Sequence, residues 1–150
     1  FQFMPTTIKN YALDYDANNV IDLKSIKDSF ASAANYINLL GWKKNELFFK
    51  KIKINKDIPV KYLNTSAKLI KNKKKVKFFK KYIDNYEELN INENLNSAII
   101  TPDKDIVPDS DTLSPAFIVF NNYELILKWN RSLRFALAIC TLKENIKNEL

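Results

Sequence analysis

The chain of 150 residues has no histidine, one cysteine, one glycine and only two arginines. Without an imidazole, Ser-His-Asp and Cys-His catalysis and His-ligated metals are excluded. Cys140 alone builds neither a disulfide framework nor a thiolate zinc site. Gly41 alone cannot supply a phosphate-cradling loop, which needs several glycines. No run approaches the roughly 20 uninterrupted apolar residues of a membrane helix. Carboxylates, lysines, tyrosines and hydroxyls remain for chemistry.

The chain is 46% apolar and 13% aromatic by residue, which suits one globular domain, or part of one, with a real core. It opens on Phe1 inside a patterned segment and is therefore expected to be part of something longer. The net charge of +7 is unevenly spread. Lys43 to Lys81 holds 15 lysines against Glu46 and Asp57, so the rest of the chain is acidic. Phe48, Phe49, Phe78, Phe79 and Tyr82 lie in or beside this block, a pattern that attracts polyanions. Lysine lacks the planar fork of arginine for base edges and phosphates, so a solvated basic surface is the simpler reading.

Pro5 suits a helix start, and Ile8, Tyr11 and Ala12 share a face, giving a short helix over 5–13. Residues 14–24 read as a loop. Ser25 followed by Asp28 resembles a capping box. Ile26, Phe30, Ala33, Ala34, Ile37 and Leu40 then recur at helical spacing until Gly41. Residues 47–54 read as a strand, 60–63 as a short extended piece and 74–86 as a short helix. Residues 97–101 and 116–120 are β-rich, separated by a proline- and aspartate-bearing surface loop over 102–115. After Asn121 a hairpin and a helix capped by Asn122 both remain open. Residues 132–145 read as a helix buried on most sides, being apolar nearly all round from Phe135 to Leu142. The expected class is α+β and mainly helical, with a small Lys-rich β-containing section. The expected division is 1–42, 43–113 and 114–150.

Three constellations carry chemistry. Asp14, Asp16 and Asn18 at positions 1, 3 and 5, with Val20 able to give its carbonyl at 7, form the first half of an EF-hand loop. Asn19 stands where glycine is usual, and asparagine tolerates the positive φ required there. Ser25 stands at position 12, so closure needs Asp28, three residues later. The alternative is an Asx-turn loop before a helix whose N-terminus Asp28 caps. Gln2, in the run Phe1-Gln2-Phe3-Met4-Pro5, suits sugar amides and hydroxyls, or is simply part of a helix start. Tyr123, Trp129 and Asn130 suit a sugar subsite, or a core aromatic with a capping amide.

Taken together and in order, FQFMPTTIKNYALDYDANNVIDLKSIKDSFASAANYINLLGW and SPAFIVFNNYELILKWNRSLRFALAICTLKENI resemble stretches of the membrane-bound lytic murein transglycosylases of the B type, glycoside hydrolase family 103. Residues 1–42 and 114–146 carry the resemblance. It implies the C-terminal part of a lysozyme-like transglycosylase core. Such enzymes cleave the β-1,4 bond between N-acetylmuramic acid and N-acetylglucosamine without water, leaving 1,6-anhydromuramic ends. One Glu acts as acid and then base, assisted by the substrate's acetamido group, a departure from the two-carboxylate scheme. That Glu lies upstream of the Gln-Phe-Met-Pro run, so no catalytic residue is expected in this chain.

The resemblance also implies an elongated calcium loop with Asp14, Asp16, Asn18, the carbonyl of Val20 and Asp28 as ligands. It maps sugar contacts onto Gln2, Tyr36, Tyr123 and Asn130, with Trp129 where tyrosine is usual, and favours a helix after Asn122. The expected cofactor is structural Ca2+, with none for catalysis. The expected partners are peptidoglycan glycan strands, with no nucleic acid and a monomeric chain. The expected location is periplasmic or outer-membrane associated. Two further readings are a non-catalytic module binding cell-wall glycan or another polyanion, and a nucleic-acid binder using Lys43 to Lys81.

Overall fold

The computed structural model describes residues 3–102 and 115–149, which form two compact units, Phe1–Lys44 and Asn45–Leu150. In the first unit, α1 (Pro5–Tyr11) and α2 (Ile26–Leu39) flank a long loop. Pro5 opens α1, where its missing N–H costs nothing. Gly41, at φ +99°, ends α2 in the left-handed region that glycine alone enters cheaply.

The buried face of α2 meets its apolar stripe only at Ala33. Asp28, Ser29, Ser32 and Ala33 are buried, whereas Ile26 and Phe30 are 76% and 61% exposed. The reason is the loop. Its backbone amides need acceptors, and the polar side of α2 supplies them: Ser32 Oγ accepts from Leu13 N at 2.9 Å. Asn35 Nδ2 donates to the Tyr11 carbonyl at 2.9 Å. Hydrogen bonding, not hydrophobic periodicity, therefore sets the rotation of this helix. Tyr11 and Tyr36 add a ring contact at 4.8 Å between α1 and α2.

The second unit is built on a sheet of β1 (Phe49–Ile52), β2 (Leu63–Asn64), β3 (Lys74–Lys75), β4 (Asn96–Ile100) and β5 (Ala116–Val119). The order is β1-β5-β4-β2, with β3 also paired to β4. Only β2 and β4 run parallel. A short helix, α3 (Val76–Phe79), and 3-10 turns at Val60–Tyr62, Lys80–Tyr82 and Tyr86–Glu88 cover one face. The expected extended piece at 60–63 is thus mainly a 3-10 turn, and the expected helix over 74–86 is a strand, a helical turn and two 3-10 turns. Pro59 before Val60 presets the first of these turns.

Phe79, Val76, Ile99 and Ile118 are fully buried at the centre of one apolar cluster with Ile52, Tyr62, Ile83 and Phe120. Asn64, also buried, makes the β2 turn possible. Its Oδ1 accepts from Lys71 N at 2.7 Å, and its Nδ2 donates to the Ile99 carbonyl at 2.9 Å. Most of the expected loop over 102–115 lies outside the described residues.

The segment after β5 is helical: α4 (Asn121–Trp129) is followed by α5 (Leu133–Glu149). The N-cap position is Phe120, without a side-chain cap, so Asn122 sits buried in the first turn and does not cap the helix. Among the described residues of α5, one side is covered. Leu133, Ala136 and Cys140 are buried, while Phe135, Ile139 and Leu142 are exposed, so the expected burial on most sides is corrected. Leu133, Ala136 and Cys140 recur at i, i+3 and i+7, one narrow stripe on a helix that packs against α4.

Replacing Phe79 with Ala is expected to destabilise this unit by about 3–5 kcal/mol, the usual cost of deleting a core phenylalanine. Urea unfolding followed by circular dichroism measures it.

Candidate functional site

The loop between α1 and α2 gathers the acidic residues. Asp14, Asp16 and Asp28 each offer a carboxylate oxygen, and the three oxygens lie within 4.8 Å of one another. The backbone reaches this arrangement through two left-handed residues, Ala17 at φ +57° and Asn19 at φ +67°. Asn19 is one of the residue types that accept this conformation. Asp14 draws the turn in: its Oδ1 accepts from Asn18 N at 3.2 Å and its Oδ2 from Asn19 N at 2.7 Å. Asn18 Oδ1 accepts from Val20 N at 2.8 Å.

Asp28 holds the loop from the α2 side. Its Oδ1 accepts from Tyr15 N and its Oδ2 from Asp22 N, both at 2.9 Å. The capping box suggested by Ser25 and Asp28 does not form, because Ser25 makes no side-chain cap bond and Asp28 turns to the loop instead. The backbone N–H groups of Asp22 and Tyr15 hold the Asp28 carboxyl below its ordinary value of 3.8, outweighing its desolvation. Asp28 is therefore an anion at neutral pH although only 1% of it is exposed.

The donor set fits a hard divalent cation. Calcium takes carboxylate oxygens at about 2.3–2.6 Å, so ligands on opposite sides of it stand about 5 Å apart. Three carboxylates within 4.8 Å match that spacing. Gathered so closely, the like charges repel, and the positive charge in reach is Lys27 Nζ, 3.9 Å from Asp16. Asn18 and Val20 lie on the exposed rim beside them.

The residues expected to touch sugar belong to both units. Gln2 lies outside the described residues. Tyr36 belongs to the first unit and is half-buried beside Tyr11, with its hydroxyl pKa raised by desolvation. Tyr123, Trp129 and Asn130 belong to the second. Tyr123 has no exposed surface, and its hydroxyl donates to the Leu133 carbonyl at 2.8 Å, tying α4 to α5. Trp129 is half-buried and Asn130 exposed. The helix ends at Trp129 and Asn130 is extended, so Asn130 does not continue the face of Tyr123.

Sequence reasoning missed Ser32 and Asn35 as anchors of the loop. Asp28, Ser32 and Asn35 at i, i+4 and i+7 form a polar stripe at helical spacing, and that signal was present.

The Transglycosylase SLT domain family matches residues 1–144, and the chain belongs to that family. No curated protein matches the chain. Among solved structures, SltB3 from Pseudomonas aeruginosa in complex with NAG-anhNAM-pentapeptide has a TM-score of 0.73 at 24% identity, covering 97% of this chain and 37% of that one. The soluble lytic transglycosylase SltB1 from the same organism has a TM-score of 0.73 at 19% identity, covering 99% and 46%. The Escherichia coli lytic transglycosylase Slt35 in complex with calcium has a TM-score of 0.69 at 19% identity, covering 99% and 43%. The fold is thus the α+β, lysozyme-like fold of lytic transglycosylases. The chain spans less than half the length of each of these three proteins. No helix among the described residues is long and apolar enough to cross a membrane.

A divalent cation held by this cluster would raise the melting temperature of the chain; at about a hundredfold excess over Kd the added stability is about 2.7 kcal/mol, and calcium is the cation to add first. Asp14→Asn and Asp28→Asn are each expected to abolish that gain in calorimetry. With chelator present, the contribution of Asp28 has a definite sign: a depressed carboxyl stabilises above its unfolded value and loses this as pH falls through the folded value. The wild type should therefore lose stability below about pH 3.8, and Asp28→Asn should flatten that part of the curve.

Proposed function

We propose that this chain is the C-terminal part of a peptidoglycan lytic transglycosylase of the membrane-bound B type, glycoside hydrolase family 103. The enzyme cleaves the bond from N-acetylmuramic acid to N-acetylglucosamine and leaves 1,6-anhydromuramic ends, in the periplasm or at the outer membrane. The observation that carries the reading is the family match over residues 1–144 together with the fold likeness to transglycosylases solved with glycan-peptide ligands. The acid that protonates the leaving oxygen is a Glu supplied by polypeptide N-terminal to Phe1-Gln2-Phe3-Met4-Pro5.

In this reading each candidate site residue has a task within its own unit. The loop of Asp14, Asp16, Asn18, Val20 and Asp28 holds a structural Ca2+, which supplies charge neutralisation and no chemistry on the glycan. Its support is the 4.8 Å carboxylate cluster and the calcium in the Slt35 structure. Gln2 and Tyr36 contact sugar from the first unit. Trp129 offers a ring for a sugar face and Asn130 an amide for its hydroxyls. Tyr123 holds α4 against α5 so that this pair is presented at a fixed angle. The chain acts as a monomer on glycan strands.

Digestion of purified peptidoglycan, read by mass spectrometry, tests this. The chain extended upstream through the Glu region should release 1,6-anhydromuropeptides, and the 150-residue chain should release none. In the extended protein, Asn130→Ala should lower kcat/KM roughly tenfold, the worth of one well-made hydrogen bond to a sugar. Products ending in a hydrolysed reducing sugar, or turnover by the short chain, would overturn the reading.

A further inference from the structure

The second unit carries a cluster of lysines that the transglycosylase reading leaves unused. Phe78 is half-buried, with its ring centroid 5.2 Å from that of Tyr62 and 6.1 Å from that of Tyr82. Each of these rings has an ammonium over it. Lys61 Nζ is 5.2 Å from the Tyr62 centroid, Lys74 Nζ 5.6 Å from Phe78 and Lys81 Nζ 4.8 Å from Tyr82. Three positive charges from three separate segments therefore ring one aromatic patch. Their backbones are held in place because Tyr62, Phe79 and Tyr82 are buried in the core.

None of Lys61, Lys74 and Lys81 makes an ion pair among the described residues, and all three are exposed. Two other lysines of the block are paired, Lys73 with Glu124 at 3.0 Å and Lys80 with Glu87 at 3.0 Å; what sets Lys61, Lys74 and Lys81 apart is that they lie over one group of rings. Lysines on edge strands also discourage strand pairing. That accounts for Lys74 on β3, but Lys61 and Lys81 are not in strands. Three charges that make no ion pair among the described residues raise the local potential and draw an anion with repeated charges.

We propose that Lys61, Lys74 and Lys81 form a second, non-catalytic contact with the cell wall, taking the carboxylates of its peptide stems. This rests on the wall-directed reading above. The chemistry favours that partner. A peptide stem such as the pentapeptide bound to SltB3 ends in a free carboxylate unless blocked, and lysine offers a point charge suited to it. The apolar ring of Phe78 between the ammoniums receives the aliphatic part of such a stem. A polynucleotide is a poorer fit, because both arginines, Arg131 and Arg134, lie outside the block and no planar fork is present for phosphates or base edges.

Co-sedimentation of the full chain with purified peptidoglycan tests the proposal. Wild type is compared with Lys61→Gln/Lys74→Gln/Lys81→Gln and with the charge-matched Lys9→Gln/Lys50→Gln/Lys51→Gln. All six lysines are exposed, so the melts of both variants should coincide with wild type. The patch variant should bind about tenfold more weakly and the control less than about twofold, with wild-type binding weakening as salt rises. Amidating the wall carboxylates should weaken wild type as much as the patch substitutions do.

Equal losses in the two variants, undiminished binding to amidated wall, no wall binding at all, or tighter binding to DNA than to wall would each overturn the proposal. Anhydro-product formation by the extended enzyme is read separately. Product without patch-dependent binding removes only this proposal, and patch-dependent binding without product removes only the transglycosylase reading.

Discussion

A carboxylate taken out of water must be given hydrogen-bond donors, and the first unit is organised around meeting that demand at Asp28. The donors are the amides of Tyr15 and Asp22, which belong to the loop and not to a helix or sheet. One side chain thus satisfies two backbone groups that would otherwise be orphaned, and the loop amides keep the carboxylate ionised. The second unit meets the same demand with Asn64, whose amide joins the Lys71 segment to β4. Both units use a buried polar residue to pin irregular chain, and no buried side-chain polar atom among the described residues is left without a partner.

This arrangement explains why α2 is turned as it is. Its apolar residues follow helical spacing, yet Ile26 and Phe30 stay exposed while Asp28 and Ser32 go inside. Burying two aliphatic or aromatic side chains is worth a few kcal/mol. In exchange the amides of Leu13, Tyr15 and Asp22 gain side-chain acceptors from α2. Turning Asp28 inward also brings its carboxylate to those of Asp14 and Asp16, so the rotation that satisfies the loop assembles the cation cluster too.

The second unit divides its work differently. Its core is a sheet packed by aromatic and branched residues from short helical turns, and its lysines stay at the rim, several of them lying over the rings of core aromatics. Long lysine stems cover ring faces while their heads remain in water. A block that looks in sequence like a run of charge is, in three dimensions, a surface wrapped around an apolar centre.

Much of this was legible in the sequence. Pro5 and Gly41 marked helix ends because their backbone preferences are local. The runs 97–101 and 116–120 became β4 and β5 because branched residues bounded by turn formers have few alternatives. The order of two motifs pointed to the transglycosylase family. The spacing of Asp14, Asp16, Asn18 and Asn19 described the loop, whose left-handed residue at Asn19 follows from local chemistry. Tertiary structure decided what depends on partners distant in sequence. Whether Asp28 capped its own helix or reached back to Tyr15, which face of α2 was buried, and whether 121–129 was hairpin or helix each turned on competing hydrogen bonds of similar local cost. Periodicity records which residues share a face, but only the packed chain determines which face has neighbours to meet.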